Sequence, residues 1–335
     1  MLVADADPIL PLARAAAQAG DWARVRELLD GSPVARQESE AALLLAEAAL
    51  RLGLPERARV WLGEAIPLFE LRGDRAALRR GVNMLGAACW ELGELDDAEA
   101  AWDRAILLAQ ADGDTLLLAR ATNNLGALAN LRGRRDHALG MYHLAIPAYQ
   151  RIGHAVGMAE CYHNMAITYR DVRDFASADE YERRAIEFAN GAGNERLVAL
   201  ARLGRAEITY RRGDVQLAGA SARRVADDFV RLTDPIREGD ARRLSGLAHL
   251  ADGRVDAARR DISRALELAR HHQGALVEAE ALRALAELES SVRDVAAARQ
   301  AAEGAIALWE RLGSQDEALA MREWLDALPG AAPGD

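Results

Sequence analysis

The chain has no lysine: its 42 basic residues, in 335, are all arginine. That excludes a P-loop lysine, a Schiff-base lysine and a Ser–Lys pair. Cysteine is almost as scarce. Cys89 and Cys161 are the only two; they form no CxxC and no disulfide framework, so reduced thiols are expected. The opening MLVADADPILPLARAAAQAGDW carries Asp5 and Asp7 and has no basic segment leading into a sustained apolar run, so no signal peptide is expected. No window reaches about 18 uninterrupted apolar residues, so no membrane span is expected and the expected compartment is the cytoplasm. GxSxG, GxGxxG and HExxH are all missing. His271 and His272 are adjacent with no carboxylate or cysteine spacing around them, and His137 and His143 stand apart from any ligand motif. The reading expects no enzyme, no metal and no cofactor. With a formal net charge of −10 the chain repels phosphate backbones, and nucleic acid is not an expected partner.

What the chain does have is a period. Turn residues fall at Gly53, Gly93, Gly133, Arg173, Gly213, Gly253 and Arg293, each step being 40 residues. Five residues after each stands alanine: Ala58, Ala98, Ala138, Ala178, Ala218, Ala258 and Ala298. Seven before each stands alanine or glycine: Ala46, Gly86, Gly126, Ala166, Ala206, Gly246 and Ala286. Small residues at fixed offsets mean close helix-to-helix approach. A second turn falls halfway, at Gly73, Gly113, Gly153, Gly193 and Gly313, with Thr233 and Gln273 in the remaining places.

Between turns the apolar spacing is helical, as in Ala98, Trp102, Ala105, Ile106 and Ala109. Asp174, Asp214 and Asp294 suit helix N-caps and Pro55 suits a first turn. No long period-two run suggests strands. Each repeat is therefore two antiparallel helices of roughly four turns. One hairpin cannot bury its own apolar face, whereas stacked hairpins can. The expected fold is an all-α solenoid of stacked antiparallel helix pairs. It would have a capping hairpin over residues 1–34, seven repeats over 35–313, a capping helix over 314–328 opened by a Ser314/Glu317 capping box, and a disordered tail over 329–335. Cys89, Trp61, Trp102 and Trp309 fall at packing positions and are expected in the core.

With these columns in place, the array resembles the tetratricopeptide repeats. One repeat gives Leu125, Gly126, Ala138, Tyr142 and Ala145; another gives Leu85, Gly86, Ala98, Trp102 and Ala105; a third gives Tyr162, Ala166, Tyr169, Ala178 and Ala185. The 40-residue period is similar to the extended type of kinesin light chains and many bacterial regulators, and longer than the usual 34. Arg205 and Ser245 depart from the pattern by occupying its leucine place. The resemblance implies a right-handed superhelix, helix A of each repeat on the concave surface, and a protein or peptide partner.

On that surface the stretch RATNNLGALANLRG raises a question of its own. Asparagine is a poor helix former, yet Asn123, Asn124 and Asn130 share one helix. Asn83 lies one repeat before Asn123 in the same column, and Asn164 one repeat after Asn124. Arg80 with Asn83 and Arg120 with Asn124 share helix faces. Trp90, His163, Arg170 and Tyr210 extend the set. Asparagine amides can both donate to and accept from a peptide backbone, and arginine can grip a carboxylate through two bonds. The resemblance makes this a peptide-binding groove. Two other readings stay open: asparagines that bond to one another across adjacent A helices, and asparagines on a solvated face. The leading function is a non-enzymatic interaction scaffold, and the alternative is a peptide-responsive regulator acting on a partner in trans.

Overall fold

A computed structural model describes residues 9–328; the tail expectation over 329–335 lies outside the described residues. Among these residues there are helices and no strand. The chain forms two compact units, residues 1–121 and 122–335. The first contains α1 (Ile9–Gln18), α2 (Trp22–Leu29), the single turn α3 (Val34–Gln37), α4 (Ser39–Arg51), α5 (Pro55–Arg72), α6 (Arg75–Leu92) and α7 (Leu95–Asp112). Next comes α8 (Thr115–Leu131), within which the first unit ends and the second begins. The second unit continues with α9 (Arg135–Arg151), α10 (Ala155–Asp171), α11 (Phe175–Gly191), α12 (Glu195–Arg211), α13 (Val215–Arg231) and α14 (Pro235–Ala251). It ends with α15 (Val255–His271), α16 (Ala275–Ser291), α17 (Val295–Arg311) and α18 (Gln315–Asp326).

The turn rhythm is a backbone rhythm. From Gly53 to Gly313, every twentieth residue has a positive φ, whether glycine or not. Arg173 and Arg293 sit at 65° and Thr233 and Gln273 at 56°. This left-handed residue ends one helix, and a fresh N-cap follows it. Asp174, Asp214 and Asp294 accept from the N–H three residues on, at 3.1, 3.3 and 3.0 Å. A side chain in the left-handed region costs roughly 1–2 kcal/mol, and Thr233, being β-branched, is the worst fitted of the four.

The small columns do the packing. All seven alanines of the plus-five column are fully buried. In the other column the hairpin partners nearly touch. A Cβ on Gly126 would lie 2.5 Å from the Tyr142 ring, one on Gly86 2.5 Å from Trp102, and one on Gly246 2.6 Å from Ile262. In these three repeats the large partner comes sixteen residues later, so a big residue on helix B is received by a missing side chain on helix A. The two departures at the leucine place are satisfied by the neighbouring B helix. Arg205 Nε donates to Asp179 at 2.9 Å, and the fully buried Ser245 hydroxyl donates to Asp261 at 2.6 Å.

In the first unit Ala13, Val25 and Leu29 of the opening hairpin share a core with Leu45 and Ala48 of α4. In the second, Ala318 and Met321 of α18 join a core with Leu282, Leu288, Ile306 and Trp309 of α16 and α17. Cys89 and Cys161 are buried and free; burial pushes the Cys89 thiol up to about 11. No described helix is long and apolar enough to cross a membrane.

The capping box expected at Ser314 does not form. Ser314 occupies the N-cap position of α18, yet its side chain makes no cap bond. The hydroxyl donates instead to the carbonyl of Leu131, 183 residues away, at 3.3 Å, and Glu317 turns to Arg283 at 3.2 Å. Tertiary partners have outbid the local ones.

Three substitutions separate these effects in equilibrium unfolding. Gly126→Ala is expected to destabilise by about 1–3 kcal/mol through overpacking on Tyr142. Gly140→Ala, on an exposed helical position with open space around the new methyl, is expected to stabilise by up to about 1 kcal/mol. Thr233→Gly is expected to stabilise by about 1 kcal/mol by relieving the turn.

Candidate functional site

Beside the small column, each A helix carries a face made of the residues thirteen, ten, six and three before each turn. In the second unit these residues are polar or charged in most places, and many are half-buried or buried.

The sequence-derived candidates divide between the units. Arg80, Asn83, Trp90 and Arg120 belong to the first. Arg80 and Arg120 are exposed. The Asn83 carbonyl accepts from Trp102 Nε1 at 3.3 Å, while its side-chain oxygen is buried with no hydrogen-bond partner among the described residues. Trp90 packs against the Trp102 ring, centroids 6.1 Å apart.

The other seven lie in the second unit. Asn164 donates to the side-chain oxygen of Asn123 at 3.2 Å, and Asn123 is buried. Asn124 is half-buried beside them. Asn130 donates to Asp171 at 3.2 Å. Arg170 reaches the same carboxylate from Nε and Nη2, at 3.2 and 3.0 Å. Tyr210 is half-buried between two core clusters.

His163 is buried, its Nδ1 3.0 Å from both oxygens of Glu182. Glu182 stands where other repeats place Trp102, Tyr142 or Ile262, nine residues after the turn, and it is only 1% exposed. Burial raises its carboxyl above the usual range; His163, then Arg170 and Arg205, oppose that rise. Gly204 makes the room, since a Cβ there would collide with Glu182 Oε1.

The larger part of the face comes from residues that were not among the candidates. Arg243 of α14 pairs with Glu207 of α12, with Asp240 at 2.9 Å and with Glu280 of α16 at 3.8 Å. Arg283 of α16 pairs with Glu280 and, at 3.2 Å, with Glu317 of α18, its guanidinium 5.6 Å from the Trp309 ring centre. Arg243 and Glu207 are both buried. Burial alone would raise Glu207, but Arg243, Arg170 and Arg211 hold it down to about 2. Glu287 and Glu317 are raised, by burial first, with Glu280 adding to the rise and Arg283 opposing it.

These helices look onto one space. The charge of Arg170 on α10 is favoured, against its burial, by Asp171, by Glu207 on α12 and by Glu280 on α16. Glu317 on α18 feels Asp171 on α10 and Arg211 on α12. The A helices from α10 to α18 therefore present a continuous ladder of alternating arginine and carboxylate, with asparagines at its start. No grouping of His, Cys, Asp and Glu able to hold a metal occurs among the described residues.

Residues 117–190 match the tetratricopeptide repeat family. No curated protein matches the chain in sequence. Among solved structures it is similar to a Rap protein complexed with competence and sporulation factor, at 14% identity and a TM-score of 0.65, covering 96% of this chain and 95% of that one. It is similar to NprR in complex with its cognate peptide NprX, at 13% identity and a TM-score of 0.62, covering 97% of each. It is also similar to aspartyl phosphate phosphatase F from Bacillus subtilis, at 12% identity and a TM-score of 0.54, covering 98% of this chain and 93% of that one. At these identities the likeness is one of fold.

The ladder has a pH signature. An unfolded glutamate titrates near 4.3, so the low value of Glu207 stabilises the fold fully above that pH and ceases to do so as pH falls through about 2. Glu207→Gln is expected to cost about 3 kcal/mol at pH 7, the low end for breaking a buried ion pair. Urea unfolding of the variant and the wild type is expected to converge as pH is lowered from about 4.5 towards 2.

Proposed function

We propose that this chain, a tetratricopeptide-repeat protein, is a non-enzymatic interaction scaffold whose second unit holds an extended peptide or partner segment along the inner faces of its A helices. One observation carries the reading: charged side chains are kept buried or half-buried on one face of α10, α12, α14 and α16. A buried ion pair is an expensive way to stabilise a fold, and well-packed apolar residues often replace one at no loss. Repeated over successive helices, such pairs read as a surface held ready for a polar occupant.

The chemistry suits a peptide. Asn124 is half-buried, and Asn123 with Asn164, now bonded to each other, and Asn130, now bonded to Asp171, can exchange those partners for the N–H and C=O groups of a peptide backbone. Arg170, Arg243 and Arg283 can exchange an internal carboxylate for one from the ligand, each charge-assisted bond contributing roughly 1.5–3 kcal/mol. The histidine and carboxylates of the face are tied in pairs to one another and to arginine, which favours binding over catalysis. Two of the similar structures are complexes with a peptide or factor, which supports a peptide as the occupant. They also favour a second reading, in which occupancy changes how the chain acts on a separate partner in the cytoplasm.

Selection of peptides on the immobilised chain, followed by calorimetry, tests the assignment. Asn123→Ala with Asn164→Ala is expected to weaken a selected peptide at least about tenfold, a loss of ~1.4 kcal/mol. Arg224→Ala, on the outer surface, should leave it unchanged. Equal affinity for the wild type and the double variant would remove the inner face as the binding site.

A further inference from the structure

We propose that the turn before α18 and the first residues of that helix form a latch that closes the second unit on itself, and that the latch is coupled to the charges of the inner face. The coupling rests on the inner-face reading above; the latch does not.

Two side chains of this segment cross to the α8–α9 turn. Ser314 leaves its own helix uncapped and donates to the Leu131 carbonyl at 3.3 Å. Asp316 accepts from Arg135 Nη1 at 3.1 Å, across 181 residues of chain. The fit is close, because a Cβ on Gly133 would lie 2.5 Å from Asp316 Oδ2. Gly133 thus serves twice, as the left-handed turn residue and as the seat of the Asp316 carboxylate. Ser314 is almost fully buried in this joint.

The segment is fixed differently on its other side. The core that buries Ala318 and Met321 draws its other buried members from α14 to α17. The joint to the α8–α9 turn is instead polar, and the Asp316 side chain in it is 62% exposed. An exposed ion pair holds weakly. The joint can therefore part while the apolar attachment of α18 to α16 and α17 stays intact. That combination, one strong apolar side and one weak polar side, makes a hinge and a latch rather than a plain end cap.

The next residue supplies the coupling. Glu317 points to the inner face and occupies Arg283, so α18 places its own carboxylate where a ligand carboxylate would sit. An occupant that takes Arg283 must displace Glu317, one residue from Asp316. By linkage, opening the latch must then change affinity at the inner face, and occupancy must change latch opening, by the same factor.

Hydrogen exchange on the full chain, without any ligand, tests both parts. Arg135→Asp and Asp316→Arg are each expected to speed exchange about fivefold in residues 128–136 and 312–320 together, leaving α16 unchanged. The exchanged pair Arg135→Asp with Asp316→Arg should restore protection. Wild-type chain in about 1 M NaCl, where the screening length is ~3 Å, should resemble the single variants, which keeps the test open if a variant folds poorly. Exchange in the two segments that responds independently, or to none of these changes, overturns the latch. Glu317→Gln tests the coupling: faster exchange at residues 128–136 is expected, and a response confined to 312–320 overturns it. Because no peptide is used, failure to recover a peptide ligand and failure of the latch are separate results.

Discussion

Everything in this molecule depends on how closely a B helix can approach the A helix before it. Gly86, Gly126 and Gly246 give up their side chains so that Trp102, Tyr142 and Ile262 can lie against bare backbone. The buried alanine column does the same work elsewhere. A hairpin closed in this way still has an apolar flank, which the next hairpin covers. Small-residue contacts fill one side of each A helix, and the face beside it is only partly used for packing: Leu203 and Leu247 join the core, while many of their neighbours are polar.

Partial freedom from packing does not by itself explain buried charge. In the second unit the inner positions carry arginine against glutamate from helix to helix, with Glu207 held ionised and Glu287 and Glu317 pushed towards neutrality by burial. Carboxylates shifted in opposite directions along one face mark an environment that is partly desolvated yet built of charge. Such a face is rigid, because its members belong to helices fixed by their other sides. It also offers exchangeable partners, since Arg243 and Arg283 each already hold more than one carboxylate. These properties suit a polar segment, and on this face arginine's planar fork can serve several acceptors at once.

Much of the fold was legible in the sequence because it is periodic. The turn residues at twenty-residue steps, the alanine column and the aspartate caps could be read from residue identity alone, since each answers to a local rule of backbone or packing. The site was legible only in part. Asn123, Asn130, Asn164, Arg170 and His163 stood out as odd residues in helices. Their partners Glu182, Asp171 and Glu207 did not, because glutamate and aspartate are common and ordinary on helices. The position of Glu182 in the column of Trp102 and Tyr142 was the one signal that could have found it. The −10 column held Arg243 and Arg283, but their importance depends on Glu207 and Glu280, brought near by curvature that no periodicity states. Ser314 departs from its local pattern for the same reason: a capping box is a local rule, and a contact from 183 residues away took its hydroxyl.

The central claim is that the inner face of the second unit, and not the outer B-helix surface, receives the partner. A photo-activatable residue placed at Tyr210 or, in a second protein, at Arg224 tests this in living cells. A covalent adduct with a peptide or protein segment is expected from position 210 and none from 224. Adducts from 224 with position 210 silent would contradict it.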